Sequence, residues 1–314
     1  MVFRNSGPSC GKLRGVSGGL PRRRIKCEIT ERINGVIGLK VAIQGELGSN
    51  SHMATVEMLG NHEDLEIIAC ALSGQVLAKV VSGEVYGAVL PIENSLHGAV
   101  AEHYDLLLEM PVQVERESLL RIRHNVIAMP GVKLEQVRRV MSHPVALSQC
   151  RRFLTAHPEI EVVTFYDTAG SVKHLMEGGL RDTAGIAPEL AAMEYGAEIV
   201  VSGVEDHAEN YTRFHLVRRE GAGSTGLSAA DINKMSLAFA IEHRPGTLVA
   251  ALQLLAQTGV DLTKIESRPV PGSPWEYVFY VDVRFDSPGK AEQALAALRE
   301  HCRMVKVLGR YRAA

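Results

Sequence analysis

Two short stretches carry the residue types that do chemistry. Asn210-Tyr211-Thr212-Arg213-Phe214 sets a hydroxyl beside a guanidinium at the entry to a strand. A threonine hydroxyl can donate a hydrogen bond to an oxygen on which charge develops. An arginine fork can hold a carboxylate through two parallel hydrogen bonds. Together they suit a small acid that loses an oxygen. The alternative for Thr212 is a β-branched strand residue on a solvated face. The second stretch, Glu266-Ser267-Arg268-Pro269, ends a strand in a separate module, where Gly246-Thr247-Leu248-Val249 opens a helix behind Pro245. Glycine there permits close backbone approach, and helix N–H groups with nearby acid could hold a zwitterionic amino acid. An ordinary turn with an exposed, weak ion pair competes with that reading.

More small polar groups crowd the strand-to-helix turns: Gly45 to Ser51, including Ser49, Asn50 and Ser51; Glu93-Asn94-Ser95; Ser142-His143-Pro144; and Asp167-Thr168-Ala169-Gly170. In a doubly wound sheet such turns share the carboxyl edge, where ligands bind. Each opens a helix, whose free N–H groups attract anions. Taken singly, each turn reads equally as an N-cap, worth about 1 kcal/mol. Several around one cleft would suit an acid with more than one carboxylate. Gly45-x-x-Gly48 lacks the GxGxxG pattern, and the P-loop pattern and HExxH are absent from the chain, so these turns indicate no dinucleotide, nucleotide or zinc motif. No Ser/His/Asp order is assigned, and His52, His97, His143 and His207 read as loop histidines.

The elements that must position these residues alternate. Short apolar strands begin at Leu39–Gln44 and recur with helices of about ten residues to a final strand at Thr212–Arg218. That spacing implies an α/β sheet buried on both faces. Two extended segments, Val112–Glu115 and Leu119–Ala128, interrupt the alternation and could carry the chain between two lobes with a cleft between them. Ala146–Thr155 reads as one helix. A Gly/Ser/Ala-rich linker follows at 220–234. Then come a strand from Met235, a helix to Thr258, strands at Leu262–Val270 and Tyr277–Phe285 around the turn 271–274, a helix at Pro288–His301 and a strand at Met304–Leu308. This βαββαβ order is the ferredoxin-like plan. The expected organisation is a tail at 1–38, a catalytic domain at 39–219, the linker, and a small domain at 235–314.

The totals limit function. With 314 residues, two domains are expected. A net charge of −2 offers no field for nucleic acid. No apolar run is long enough to span a membrane as a helix. The five cysteines are scattered with no CxxC, so neither zinc site nor disulfide framework is expected, and a reducing compartment fits. Up to Cys27 there are seven Arg or Lys and no acid. The expected location is cytoplasmic, with this stretch a disordered extension; the alternative is a plastid, with the stretch a transit peptide.

These blocks, in this order, resemble one family. Val41 to Glu220 resembles the catalytic domain of prephenate dehydratases and the similar plant arogenate dehydratases, and residues 235–311 resemble the ACT domain fused to them. The marks are Gly45 to His52, Leu90 to Ser95, Ser142 to Pro144, Asp167 to Ala169, Asn210 to Phe214, and Glu266 to Pro269. The resemblance implies a two-lobed fold like a periplasmic binding protein, with the active site in the cleft. It implies decarboxylating dehydration of prephenate to phenylpyruvate, or of arogenate to phenylalanine, without metal or redox cofactor. Thr212 matches the catalytic threonine, flanked by Arg213 and Phe214, and Thr168 and Ala169 match the family's Ser-Thr-Ala motif. Asp167 stands where that motif has serine. Asn94 and Ser95 match its Glu-Asn-Thr/Ser motif, and Ser49, Asn50 and Ser51 are implied substrate contacts. Gly246 to Val249 match Gly-Ala-Leu-Val, with Thr247 in place of alanine. Glu266, Ser267, Arg268 and Pro269 match the Glu-Ser-Arg-Pro motif. The last two motifs imply L-phenylalanine as effector at an ACT–ACT interface, hence a homodimer or homotetramer. A non-catalytic amino-acid sensor is the rival from another class.

Overall fold

A computed structural model describes residues 39–60, 64–223, 228, 230–270 and 275–314. Expectations for the tail 1–38, the turn 271–274 and part of the linker lie outside the described residues. The first lobe runs β1 (Leu39–Gln44), α1 (Asn50–Leu59), β2 (Leu65–Cys70), α2 (Ser73–Ser82), β3 (Gly87–Asn94), the two-residue β4 (Gly98–Ala99), α3 (Ala101–Glu109) and β5 (Val112–Arg121). β1 lies parallel to both β2 and β3. The chain then crosses to a second lobe of β6 (Asn125–Ala128), β7 (Arg139–Ser142), α4 (Pro144–Ser148), α5 (Arg151–Ala156), β8 (Glu161–Thr164), α6 (Thr168–Glu177), β9 (Thr183–Ala187), α7 (Glu189–Tyr195) and β10 (Glu198–Val201). Those strands form a separate five-stranded sheet, ordered β10-β6-β9-β7-β8.

β11 (Tyr211–Arg219) returns to the first lobe and lies antiparallel between β3 and β5. The C-terminal module is β12 (Lys234–Ala240), α8 (Thr247–Gln257), β13 (Asp261–Pro269), β14 (Tyr277–Arg284), α9 (Pro288–His301) and β15 (Met304–Tyr311). Its strands order β13-β14-β12-β15, the expected ferredoxin-like arrangement, and β15 meets β5 at Gly309 and Val114. A Cβ on Gly309 would lie 2.3 Å from the Val114 carbonyl oxygen, so only glycine lets the two strands approach there. The α/β expectation holds in both lobes, whose central strands are fully buried: all five residues of β9, and Gly87 to Leu90 of β3. Among the described residues no helix is long and apolar enough to cross a membrane.

Two elements differ from the expected pattern. β5 is one strand of ten residues, not two segments. Its Glu115 and Glu117 look like a break, but both are buried in ion pairs, with Arg218 at 3.0 Å and Lys234 at 2.7 Å. The expected helix Ala146–Thr155 is two short helices. The Asp206 carboxylate accepts from the N–H groups of Arg151 and Arg152, at 3.0 and 2.9 Å. This caps a fresh helix start and leaves Gln149 at the break.

Candidate active site

A cavity of about 680 Å³ separates the lobes. Ser49, Asn50 and Ser51 line it from the start of α1, Asn94 from the end of β3, Thr168 from the start of α6, and Thr212 and Phe214 from β11. Ser49 Oγ caps α1 by accepting from His52 N–H, and Asp167 caps α6 by accepting from Gly170 N–H at 2.7 Å. Two helix N-termini thus open on one cavity, a natural place for anionic groups. Ser95 and Ala169 do not line it. Ser95 Oγ accepts from Tyr211 N–H at 3.0 Å and so fastens the approach to β11, while Ala169, in the first turn of α6, is fully buried.

The Thr212 hydroxyl is oriented by a chain of amides fixed to the backbone. Asn94 Oδ1 accepts from the N–H groups of Leu96 and His97, at 3.0 and 3.1 Å. Its amide nitrogen therefore faces the other way and donates to Asn210 Oδ1 at 2.7 Å and to Thr212 Oγ1 at 3.0 Å. Asn210 in turn donates to Gln149 Oε1 at 2.9 Å. Gln149 Nε2 then donates to His97 Nδ1 at 3.1 Å, and His124 Nε2 donates to Gln149 Oε1 at 2.8 Å. Because Thr212 Oγ1 already accepts from Asn94, its own proton is free to be donated into the cleft. Gln149 and His124 were not anticipated from sequence. Gln149 was hidden inside an expected helix, and Asn210, though within the motif, had no assigned role.

Arg213 is not the carboxylate clamp expected of it. Side chains alternate along a strand, so Thr212 and Phe214 face the cleft and Arg213 the opposite side. It is 5% exposed and pairs with Asp282 of the C-terminal module. Glu117 lies 3.4 Å from Nη1, and Glu93 lies 2.9 Å from Nε without hydrogen-bond alignment. Lys234 bonds Glu117 at 2.7 Å, and Lys264 pairs with Glu93. Burial works against the Arg213 charge, but Asp282, Tyr104, Tyr311 and Glu93 together outweigh it and hold the guanidinium protonated. The cluster joins the two modules behind the cleft wall.

The histidines at the cleft are kept neutral. Burial lowers His103 and His143 below the usual imidazole range. His103 Nδ1 donates to the Pro91 carbonyl at 2.5 Å, which leaves Nε2 to accept from Ser73 Oγ at 2.8 Å. At the rim, His97 Nε2 lies 2.9 Å from Ser148 Oγ. Gln149 donates to its Nδ1, so this ring donates to Ser148 and is not its base. Among the described residues no cluster of three or more His, Cys, Asp or Glu is placed to hold a metal ion.

The effector motifs sit elsewhere, in the C-terminal module. Gly246, Thr247, Leu248 and Val249 line a pocket of about 220 Å³ with Trp275 and Phe279. Glu266 to Pro269 end β13, where Arg268 holds Asp105 of α3 through two bonds, 3.3 and 2.7 Å.

Comparison with known proteins now decides the family. The prephenate dehydratase profile matches residues 41–222, more than half the chain, and the ACT domain profile matches residues 236–300. The chain belongs to the prephenate dehydratase family. Arogenate dehydratase/prephenate dehydratase 2, chloroplastic, of Arabidopsis thaliana is 36% identical over 304 residues, covering 93% of this chain and 77% of that one. The prephenate dehydratase of Arthrobacter aurescens, solved in complex with L-Phe, superposes with a TM-score of 0.78 at 30% identity, covering 87% of this chain and 90% of that one. GqqA, described as a novel type of quorum quenching acylase, also has a TM-score of 0.78, at 32% identity, with 88% and 98% covered. In this prephenate dehydratase family member, the two matched regions correspond to the cleft-bearing lobes and the ferredoxin-like module.

Proposed function

We propose that the cleft catalyses the decarboxylating dehydration of prephenate or arogenate. The ring carboxylate leaves as carbon dioxide. The electrons of its bond enter the ring, and the ring hydroxyl is expelled, giving phenylpyruvate or phenylalanine. The observation that carries this reading is the Thr212 hydroxyl, which lines the cleft and accepts from Asn94, so that its own proton is left available to a substrate. Charge develops on the departing oxygen, and a fixed donor there stabilises the transition state more than the ground state. Phe214 lines the same wall and keeps water from the carboxylate that must leave. The helix N-termini at Asn50 and Thr168 hold the substrate's anionic groups.

Thr212→Val removes the donor and keeps the β-branched shape. Turnover should fall about 10²–10³-fold, the usual loss for one such donor. Unchanged turnover of both substrates would sink the assignment. A folded wild type that turned over neither, yet bound phenylalanine, would favour the amino-acid sensor. A serine–histidine acylase role, one route to the activity in GqqA's description, is argued against by the pairs among the described residues. His97 donates to Ser148, and Ser73 is fully buried.

The regulatory part of the proposal assigns residues 39–219 to catalysis and 235–314 to control, joined by 220–234. L-phenylalanine binds between Gly246–Val249 of one copy and Glu266–Pro269 of a second, which the pocket beside Gly246–Val249 supports. A dimer or tetramer follows. Inhibition by phenylalanine that survives Arg268→Ala would refute this site. The chloroplastic relative favours plastid import over the cytoplasm. A fusion of residues 1–38 to a fluorescent protein that stays in the cytosol of plant cells would refute import.

A further inference from the structure

The charge of the cleft is unusual for a pocket meant only for a dianion. Among the described residues its lining carries three carboxylates, Glu46, Glu102 and Asp167, against one cation, Lys173. The neutral histidines add no positive charge. Glu46 is already satisfied, accepting from Lys173 at 3.0 Å and from the Tyr166 hydroxyl at 2.9 Å. Glu102 is exposed. Asp167 differs from both. Its Oδ1 accepts from the Gly170 N–H, and no described cation forms an ion pair with it. Its Oδ2 reaches across to the first lobe, where a Cβ on Gly45 would lie 2.5 Å away. Gly45 has φ +95°, so glycine is required there twice over. Burial pushes the Asp167 carboxyl above the usual range, with Glu46 adding to it. A half-buried carboxylate in this state gains from a cation brought to it.

We infer that Asp167 is a specificity residue, and that its free carboxylate oxygen receives the ammonium group of arogenate. The inference rests on the dehydratase reading above. The two substrates differ at one place: arogenate carries an ammonium where prephenate carries a ketone oxygen. An ammonium at Oδ2 completes a charge-assisted hydrogen bond and offsets the surplus of acid in the cleft. A ketone there sets one acceptor against another. The carboxylate therefore selects in both directions, attracting one substrate and opposing the other. Serine at this position would keep the cap on α6 while removing the charge, because serine and aspartate cap helices about equally well.

The test is the ratio of kcat/KM for arogenate to kcat/KM for prephenate, in the wild type, Asp167→Ser and Asp167→Asn. The wild type should prefer arogenate. In both variants the ratio should fall at least about tenfold, as expected when a polar partner of the substrate is lost. A ratio unchanged while both activities fall together would overturn the inference, because a proton donor or a purely structural cap affects both substrates alike. A wild type that turns over only prephenate would also overturn it, while leaving the dehydratase reading intact. A wild type that turns over neither would refute the dehydratase reading itself, and this inference with it.

Discussion

Replacing Asp282 by asparagine tests the joint between the modules. The cluster behind β11 holds three cations, Arg213, Lys234 and Lys264, against four carboxylates, the buried Glu117 and Asp282 and the part-exposed Glu93 and Glu266. Arg213 and Asp282 are each 5% exposed at the side chain, and Glu117 is 3% exposed. Asp282 also accepts from Ser236 Oγ at 2.5 Å. The substitution preserves shape but leaves the buried Arg213 and Lys234 with Glu117 as their one buried carboxylate partner among the described residues. Breaking a buried pair by removing one partner costs about 3–5 kcal/mol. Glu117 and Glu93 still face Arg213, so the lower end, about 3 kcal/mol, is expected. That corresponds to a fall in Tm of about 6–12 °C for a chain of a few hundred residues.

Thermal and urea unfolding of Asp282→Asn, Lys234→Met and the double variant supply the assay. Lys234→Met leaves one buried cation, Arg213, facing one buried carboxylate, Glu117, in the Asp282→Asn background, so the double variant should be more stable than the sum of the single losses predicts, by at least about 1 kcal/mol. Additive losses, or an Asp282→Asn variant within about 0.5 kcal/mol of wild type, would refute the reasoning. Turnover measured well below the unfolding temperature should also fall. Arg213 is the backbone neighbour of Thr212, and the β11–β3 register shifts between Arg213 and Phe214.

Gln149→Leu leaves the donors of Asn210 and His124 unpaired in a buried place, and should cost about 1–3 kcal/mol together with a fall in kcat; full activity in this variant would remove the amide chain from the orientation of Thr212. Stability should fall as pH is lowered from 7.5 to 5.5. Burial holds His103, His124 and His215 below the ordinary value of 6.5, His215 well below, so below that value the unfolded chain takes up protons that the folded rings refuse. The slope is at most about 1.4 kcal/mol per pH unit for each ring and ends at its folded value; urea midpoints that stay level or rise over this range would contradict it. Gly45→Ala should reduce turnover and stability together, because its Cβ meets Asp167 and its φ is positive; an active, stable variant would show that the cleft wall gives way at this point.

Much of the fold was legible because it is written in local periods. Strand and helix alternation, the Gly/Ser linker and the βαββαβ order depend on neighbours in the sequence. The break at Gln149 was not legible, because its cause, Asp206, lies more than fifty residues along the chain. The unity of β5 was hidden for a similar reason. Glu115 and Glu117 belong in a buried strand only when Arg218 and Lys234 stand opposite, and no local pattern announces such partners.

The role of Arg213 is the instructive error, since the correcting signal was present. A strand alternates its faces, so a cleft that receives Thr212 and Phe214 cannot also receive Arg213 from the regular positions between them. The sequence thus excluded the clamp while giving no hint of what lay on the other side. The structure places Asp282 there, and the consequence is that β11 is held on both faces. Asn94, with Gln149 behind it, fixes the hydroxyl from the side of the second lobe. Asp282 fixes the adjacent guanidinium from the side of the ACT module. One residue step along one strand separates the proposed donor from the ACT domain, so a change that moves β14 should act on Thr212 through a single peptide bond and a buried ion pair. That short path is why Asp282→Asn should disturb both stability and turnover, whereas Arg268→Ala, at a partly exposed pair on α3, should disturb the effector response without comparable loss of fold.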